Sequence, residues 1–143
     1  MMEFIEGKGI VALSFVGSLA TFILGAWDLP LQILLVAVVL DYLCGTMKAF
    51  YLGKVSSKVG YKGIIKKMGI FFMVVVAQLA DMTLGLEVLR NTVCIAYTVN
   101  ELYSISENVA IMDVYIPPFI KDKLIQVKEV IEKIEPRDTD KKE

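Results

Sequence analysis

The sequence predicts an all-α integral membrane protein with three to four transmembrane helices, a cytoplasmic basic hairpin, an amphipathic C-terminal helix and a charged tail. Three observations predict this class. Hydrophobic residues make up 56% of the 143 residues, against roughly 45–50% in an ordinary soluble domain. The 39 residues from Tyr42 to Ala80 contain six lysines and no acid, and they join two long apolar runs. Nearly half of all charges, seven basic and seven acidic, fall in the last 23 residues.

Two apolar segments precede the basic hairpin. The first, residues 9–27, is just long enough to cross a bilayer core, which takes about 20 helical residues. It begins without a basic cluster, so we expect it to be retained rather than cleaved as a signal peptide. It ends at Trp27, a residue favoured at the headgroup level. Pro30 then suits the first turn of the second segment, residues 29–51, because its missing N–H costs nothing there.

Two further segments follow the hairpin. The third, residues 63–84, is apolar and long enough to cross. The fourth, residues 88–112, is interrupted by polar residues at helical spacing, which is the pattern of an amphipathic helix. It either crosses with its polar stripe turned inward or lies on the membrane surface. We therefore predict a membrane domain at 1–118, an amphipathic helix at 119–134 and a disordered charged tail at 135–143.

The loop charges predict the orientation. Lysine-rich loops stay on the cytoplasmic side of a membrane, so the hairpin and the N-terminus are expected in the cytoplasm. If the fourth segment crosses, the tail is cytoplasmic too. The lysines are better explained as a topology signal beside anionic lipid than as a nucleic-acid site.

Acids inside apolar segments are the sharpest candidates for function. Asp41 follows an unbroken apolar run, and Asp81 lies near the outer end of the third segment. An acid at a bilayer centre costs about 2.5–3.5 kcal/mol on insertion scales, so it usually has a partner or a task. Both acids are expected at a helix interface or a water path, unless the helices shift to bring them to headgroups. Their positions at opposite ends of antiparallel helices argue against direct pairing.

Two other patterns concern helix faces. Gly17, Thr21 and Gly25 repeat every four residues, and such spacing lets helix backbones approach closely in lipid. This face serves either an oligomer interface or packing within one subunit. In the fourth segment, Glu101 and Glu107 line a hydrated lumen or the polar side of a surface helix. Catalysis by paired carboxylates is the weakest reading, because the chain has no histidine.

No cofactor, metal site or enzymatic activity is predicted. The absence of histidine removes the commonest general base and metal ligand. The two cysteines, Cys44 and Cys94, lie inside apolar segments without CxxC spacing, so both are expected to be small buried hydrophobes.

Together these segments resemble a known family. The second and third segments read Asp41-x3-Gly45-x2-Lys48, then Gly53-x-Val55-Ser56-Ser57-x2-Gly60-x2-Gly63-x2-Lys66-Lys67. The fourth reads Asn100-Glu101-x2-Ser104-Ile105-x-Glu107-Asn108, followed by Ile116-Pro117. Over about residues 10–125 the chain resembles the phage holins, the family that includes the toxin-secretion/phage-lysis holins of Gram-positive bacteria and their phages. One departure is Asp113, near which family members often carry glycine.

The resemblance implies a function that composition does not. Such proteins accumulate in the cytoplasmic membrane, oligomerise and open lesions that release an endolysin or, in some relatives, a toxin. The matching residues are family-pattern positions whose individual roles are not implied: Asp41, Gly45, Lys48, Ser57, Gly60, Gly63, Lys66, Lys67, Glu101, Ser104, Glu107 and Asn108. The expected partners are the lipid bilayer, further copies of the chain, and an endolysin or exported toxin that needs no direct contact. The rival readings are a toxin-secretion pore, a small ion channel and a structural membrane subunit.

Overall fold

A computed structural model describes residues 2–134, with side chains described from Gly9 onward except at positions 57–59, 132 and 134. The predicted all-α class is confirmed over these residues, and the predicted disordered tail at 135–143 lies outside them. Between residues 2 and 134, five helices follow one another: α1 (Met2–Leu24), α2 (Leu29–Tyr51), α3 (Ser57–Leu84), α4 (Leu89–Ile111) and α5 (Pro118–Ile134).

Local chemistry explains where the helices start and stop. Helix α1 ends at Leu24, three residues before the predicted end, because Gly25 takes a left-handed φ of +83°. Asp28 caps α2 by accepting a hydrogen bond from the Leu31 N–H, with proline in the first turn as expected. Gly85, with φ +66°, ends α3 in the same way as Gly25 ends α1. At its other end α3 begins at Ser57, six residues earlier than predicted.

Helix α4 is the centre of the bundle. It lies parallel to α2 and antiparallel to α3, and it packs extensively against both, whereas the backbones of α2 and α3 approach each other closely at few points and the two helices meet mainly through side chains. Helix α1 packs on α3, and α5 folds back onto α4. The core between the three central helices is small and apolar, and it comprises Leu31, Leu34, Val38, Ile70, Val74 and Cys94.

The outside of the bundle is apolar. Two helical stretches, Leu29–Tyr51 and Gly60–Leu84, are long and apolar enough to cross a membrane, and Gly9–Leu24 forms a shorter apolar helix. Large side chains such as Phe15 and Phe72 are more than 60% exposed. A soluble domain rarely presents so much continuous apolar surface, so the fold fits an environment of lipid.

One arginine holds the end of the bundle opposite the hairpin. Arg90, only 6% exposed, begins α4 and donates hydrogen bonds to the carbonyls of Leu24 and Ala26, at 2.6 Å each. Its guanidinium also bonds both carboxylate oxygens of Asp28, at 2.7 and 2.9 Å. Such bidentate pairing is the strong form of an arginine–carboxylate contact. Arg90 thereby joins the α1–α2 turn to the start of α4, and we call this set of contacts the Arg90 clamp.

Asp81 secures the same end. Its two carboxylate oxygens accept the backbone N–H groups of Leu89 and Arg90, at 3.1 and 2.9 Å. These donors belong to the first turn of α4, where N–H groups lack partners within the helix. Asp81 thus lies at a helix interface near the end of α3, where it caps the next helix, and it is far from Asp41.

The turn after α4 accommodates Asp113. This residue has a left-handed φ of +61°, a conformation that favours glycine and that aspartate tolerates better than most residues. Its carboxylate accepts a hydrogen bond from the Tyr51 hydroxyl at 2.5 Å. The residue that departs from the family pattern therefore keeps a glycine-like backbone and adds a contact to the end of α2.

We predict that Gly25→Ala destabilises the protein by about 1 kcal/mol or more. A Cβ there would lie 2.6 Å from the Arg90 Nε and from the Gln78 Oε1, on a backbone of positive φ. Gly17→Ala is the matched control, because a Cβ at Gly17 meets nothing within 4 Å and the position is helical. Unfolding midpoints in detergent micelles measure both. Equal midpoints for the two variants would contradict the clamp around Gly25.

Acid is predicted to loosen the clamp. The Arg90 guanidinium holds the pKa of the Asp28 carboxyl below its ordinary value of 3.8. A carboxylate with a lowered folded-state pKa stabilises the fold above its unfolded pKa and loses that contribution as pH falls through the folded value. Below about pH 3.8, the unfolding midpoint of the parent chain should therefore fall with decreasing pH more steeply than that of Asp28→Asn. Parallel pH profiles of the unfolding midpoint would refute this role.

Candidate functional site

Five polar residues from three helices meet near the hairpin end of the bundle, and we call them the charge network: Asp41, Lys48, Lys67, Glu101 and Asn108. Lys67 of α3 lies at its centre. Its Nζ is 2.7 Å from the Asp41 Oδ2 of α2, and it also forms an ion pair with the Glu101 carboxylate of α4. One ammonium group therefore joins two carboxylates that sequence alone assigns to separate segments.

Asn108 extends the network toward the hairpin. Its Nδ2 donates to the Asp41 Oδ1 at 3.3 Å, and its Oδ1 accepts from the Lys48 Nζ at 2.5 Å. Asn108 lies seven residues after Glu101, two helical turns further along the same face of α4. Both ends of this face are thus bonded to charged side chains of neighbouring helices.

The charges of the network balance. Two lysines oppose two carboxylates, and the amide of Asn108 bridges the remaining gap. Glu101 is 2% exposed and Asn108 is 6% exposed. Among the described side chains, no buried nitrogen or oxygen lacks a hydrogen-bond partner. In hydrocarbon, where water cannot satisfy such groups, this is the condition for keeping them inside a helix bundle.

Three glycines lie where α2 contacts α3 and α4. A Cβ at Gly45 would lie 3.8 Å from the Asn108 Nδ2, and Cβ atoms at Gly60 and Gly63 would each lie 3.6 Å from the Tyr42 ring or hydroxyl. These are ordinary van der Waals distances, so an alanine would fit at each position and the packing of Tyr42 and Asn108 does not require glycine there.

The predicted polar stripe of α4 divides into two parts. Glu101 and Asn108 face the interior of the subunit, whereas Asn100 and Glu107 are exposed and Ser104 is half-buried. We call Asn100, Ser104 and Glu107 the outward polar edge. Their spacing of four and three residues places them on one line along the helix. Glu101 is buried and Glu107 is exposed, so the two do not form a carboxylate pair.

Other predicted positions lie outside this cluster. Lys66 is exposed beside the half-buried Lys67, and the side chain of Ser57 lies outside the described ones. In α1, Gly17 and Thr21 are exposed, and the Thr21 hydroxyl bonds the Gly17 carbonyl of its own helix. Gly25 is not part of that helical face, because the helix ends before it and Gly25 is buried against Arg90. The four-residue repeat is therefore corrected to Gly17 and Thr21.

Sequence reasoning missed Arg90. A basic residue at the start of an apolar segment was a usable signal, because ionisable residues in such segments are functional or structural candidates by default. However, a basic residue next to a predicted turn is also typical of an ordinary helix terminus. Nothing in its spacing points to Asp28, which precedes it by 62 residues.

We predict that Lys67→Met destabilises the subunit by about 3–5 kcal/mol, since it leaves Asp41 and Glu101 facing each other without a counter-charge. Lys66→Met, one residue away and exposed, should change stability by less than about 0.5 kcal/mol. Adding Asp41→Asn and Glu101→Gln to Lys67→Met should recover most of the loss. Unfolding in mixed micelles measures all three variants. An equal effect of the two single substitutions would exclude Lys67 as the centre of the network.

Comparison with known proteins gives one family. The model of the bacteriophage holin family matches residues 18–129, which include the charge network, the outward polar edge and Arg90. An uncharacterised 14.9 kDa protein of Clostridium perfringens is 41% identical over 121 residues, covering 83% of this chain and 89% of that protein. An uncharacterised protein of Listeria monocytogenes is 36% identical over 125 residues, 87% of each chain.

A phage protein is also similar. The protein named probable holin of Bacillus phage phi105 is 35% identical over 95 residues, covering 66% of this chain and 70% of that protein. No solved structure matches the chain. The family match covers most of the sequence and contains the polar residues around which the bundle is built. The chain therefore belongs to the bacteriophage holin family.

Proposed function

We propose that this protein is a holin that oligomerises in the bacterial cytoplasmic membrane and opens lesions through which an endolysin reaches the cell wall. Family membership and the similarity to the phage protein support this proposal. The main structural observation in its support is the outward polar edge of α4. Asn100 and Glu107 are exposed on a bundle whose outer surface is mostly apolar.

Four crossings are the proposed topology. Helix α4 lies beside α2 from end to end, since Arg90 contacts Asp28 at one end and Asn108 contacts Lys48 at the other. A bilayer that contains α2 therefore contains α4 as well. The buried polar residues of α4 explain why its composition looks less like a span than those of α2 and α3.

The proposed orientation follows from the lysines. The α2–α3 hairpin carries exposed Lys54, Lys62 and Lys66, and such loops remain cytoplasmic. Helices α2 and α4 both end on this side, because Tyr51 contacts Asp113. The N-terminus and α5 are then cytoplasmic, and the Arg90 clamp is on the outer side.

The outward polar edge supports assembly around water. Placing a carboxylate or an amide against hydrocarbon is unfavourable in free energy. Both groups therefore favour a position where they meet water or a second polar surface. A ring of subunits that turn this edge inward would satisfy Asn100, Ser104 and Glu107 together. The charge network stays intact within each subunit, so the lesion needs no unfolding of the bundle.

We predict that Asn100→Leu combined with Glu107→Leu abolishes or strongly delays permeabilisation without lowering the unfolding midpoint. Both positions are exposed, so the leucines disturb no internal contact. The control is Asn100→Gln with Glu107→Gln, which keeps polar groups at both positions and should permeabilise cells. Membrane potential and culture density are followed during controlled expression. Permeabilisation on the normal schedule by the leucine pair would refute a lumen lined by this edge.

The same assay tests the function as a whole. The chain is expressed with and without a cytoplasmic endolysin. A holin should collapse the membrane potential in both cultures and cause lysis only where the endolysin is present. Loss of potential without endolysin release would reassign the chain to ion-scale pores, and no loss of potential would reassign it to a structural role.

A further inference from the structure

Helix α5 starts at the hairpin end of the bundle and turns back along α4. The Lys128 Nζ lies 4.1 Å from the centre of the Tyr103 ring, and the two helices pack together. Tyr103 precedes the end of α4 and Lys128 follows the start of α5, so the helices are antiparallel. At 1.5 Å per residue, their contact lies about 12 Å inward from the end of α4. Under the proposed four-crossing topology this contact is well inside the bilayer, since half a hydrocarbon core is about 15 Å thick.

The half-buried residues of α5 define the side that faces α4. They are Leu124, Ile125, Lys128 and Ile131. At about 100° per residue, the other three lie within about 60° of Lys128. Lys128 therefore marks the direction from α5 to α4, and Tyr103 marks the direction from α4 to α5.

On α4, polar and apolar residues lie on opposite flanks of this contact. Glu107 and Asn100 of the outward polar edge lie about 40° and 60° from Tyr103, in the direction in which the chain winds. Leu102 and Ile95, which are 40% and 55% exposed, lie about 100° and 80° from Tyr103 in the other direction. The surface of α4 beside α5 thus has one polar flank and one apolar flank.

Helix α5 is divided in the same way. Exposed Asp122 and Glu129, which we call the charged flank, lie about 120° and 100° from Lys128 in the direction of winding. Exposed Val127 and Ile120, the apolar flank, lie about 100° and 80° from it in the other direction. Both helices are right-handed and they run in opposite directions, so their winding directions lead to the same side of the pair. The charged flank of α5 therefore continues the outward polar edge of α4.

We propose that α5 forms a second wall of the aqueous path, so that water in the lesion contacts its charged flank together with the outward polar edge of α4. The inference rests on the proposed function and deepens it, because it adds a helix to the lining of the lumen. The water on this flank is continuous with the cytoplasm, where α5 begins.

Depth selects water as the medium on this flank. Glu129 lies at the level of the Tyr103 contact, and Lys133, one turn further on the same flank, lies deeper. Both are exposed, and an exposed carboxylate or ammonium at such depth is unfavourable in hydrocarbon. Helix α5 can therefore keep its contact with α4 only where the charged flank is hydrated. A ring of subunits that turns the outward polar edge inward turns the charged flank inward as well.

The test uses the full chain with a single tryptophan at a chosen place. In a Trp27→Phe background, a tryptophan replaces Glu129 on the charged flank, Val127 on the apolar flank or Phe72 on the exposed face of α3. Positions 127 and 129 are both exposed and lie at nearly the same depth, so each is the matched control of the other.

Two readouts are followed together. Each variant and the parent chain are added from detergent to vesicles of phosphatidylcholine and phosphatidylglycerol that hold a trapped dye, with detergent alone as the baseline. Release of the dye reports lesions. Quenching of the tryptophan by acrylamide, a neutral quencher dissolved in the water, reports how far each position is hydrated.

The proposal predicts a difference between the two flanks. In vesicles that release the dye, the acrylamide quenching constant of Glu129→Trp should be several-fold larger than that of Val127→Trp, because the apolar flank is turned away from the lumen. Phe72→Trp should be as protected as Val127→Trp, because it reports the inserted bundle.

Different results would overturn the inference and the proposed function. If vesicles release the dye but Glu129→Trp is quenched no more than Val127→Trp, the inference is wrong and the lesion remains. High constants at both positions would then mean that α5 stands free in water, and low constants at both would mean that protein covers the charged flank. No dye release by the parent chain, or strong quenching of Phe72→Trp, would instead refute the proposed function itself.

Discussion

The rest of the structure depends on the position of one ammonium group between two carboxylates. Lys67 joins Asp41 of α2 to Glu101 of α4, and this contact holds three helices in register near the hairpin end. In a medium without water, the attraction within such a group is not the main energy. The decisive energy is the cost of exposing any one member without the others, which is several kilocalories per mole. The network therefore restricts the bundle to arrangements that keep all of its members together, and the Arg90 clamp does the same at the other end.

Much of this could be predicted from the sequence, and the limits are physical. The apolar segments are long, so the all-α class and approximate helix positions follow from hydropathy, and the resemblance to phage holins is confirmed by the family match. The positions of Asp41 and Asp81 at helix interfaces were also expected. Periodicity defines the polar face of a helix but not its partner, so the pairing of α2 with α4 and the role of Arg90 could not be deduced. Periodicity predicts the polar stripe of α4 as one surface because its members are close on the helix. It divides because the stripe is wider than the interface that buries it.

The surface of α4 explains how one short helix serves several purposes. Its inner face satisfies Glu101 and Asn108 within the subunit, and a second face carries α5. The outward polar edge lies between these two faces and remains accessible. A subunit built in this way can be stable alone and still present a surface that favours assembly. If the proposed function holds, stability and lesion formation depend on different residues of the same helix, and either property can change without the other.

The pairing of α2 with α4 rather than with α3 has a consequence for biosynthesis. Chains are made from the N-terminus, so α2 and α3 enter the membrane before the helix that packs between them exists. During that interval they meet mainly through side chains, and the carboxylate of Asp41 has Lys67 but lacks Asn108. The two helices can become a tight unit only when α4 arrives with Glu101 and Asn108 in register. Under the proposed four-crossing topology, the fourth segment is therefore the one that completes the contacts of the subunit.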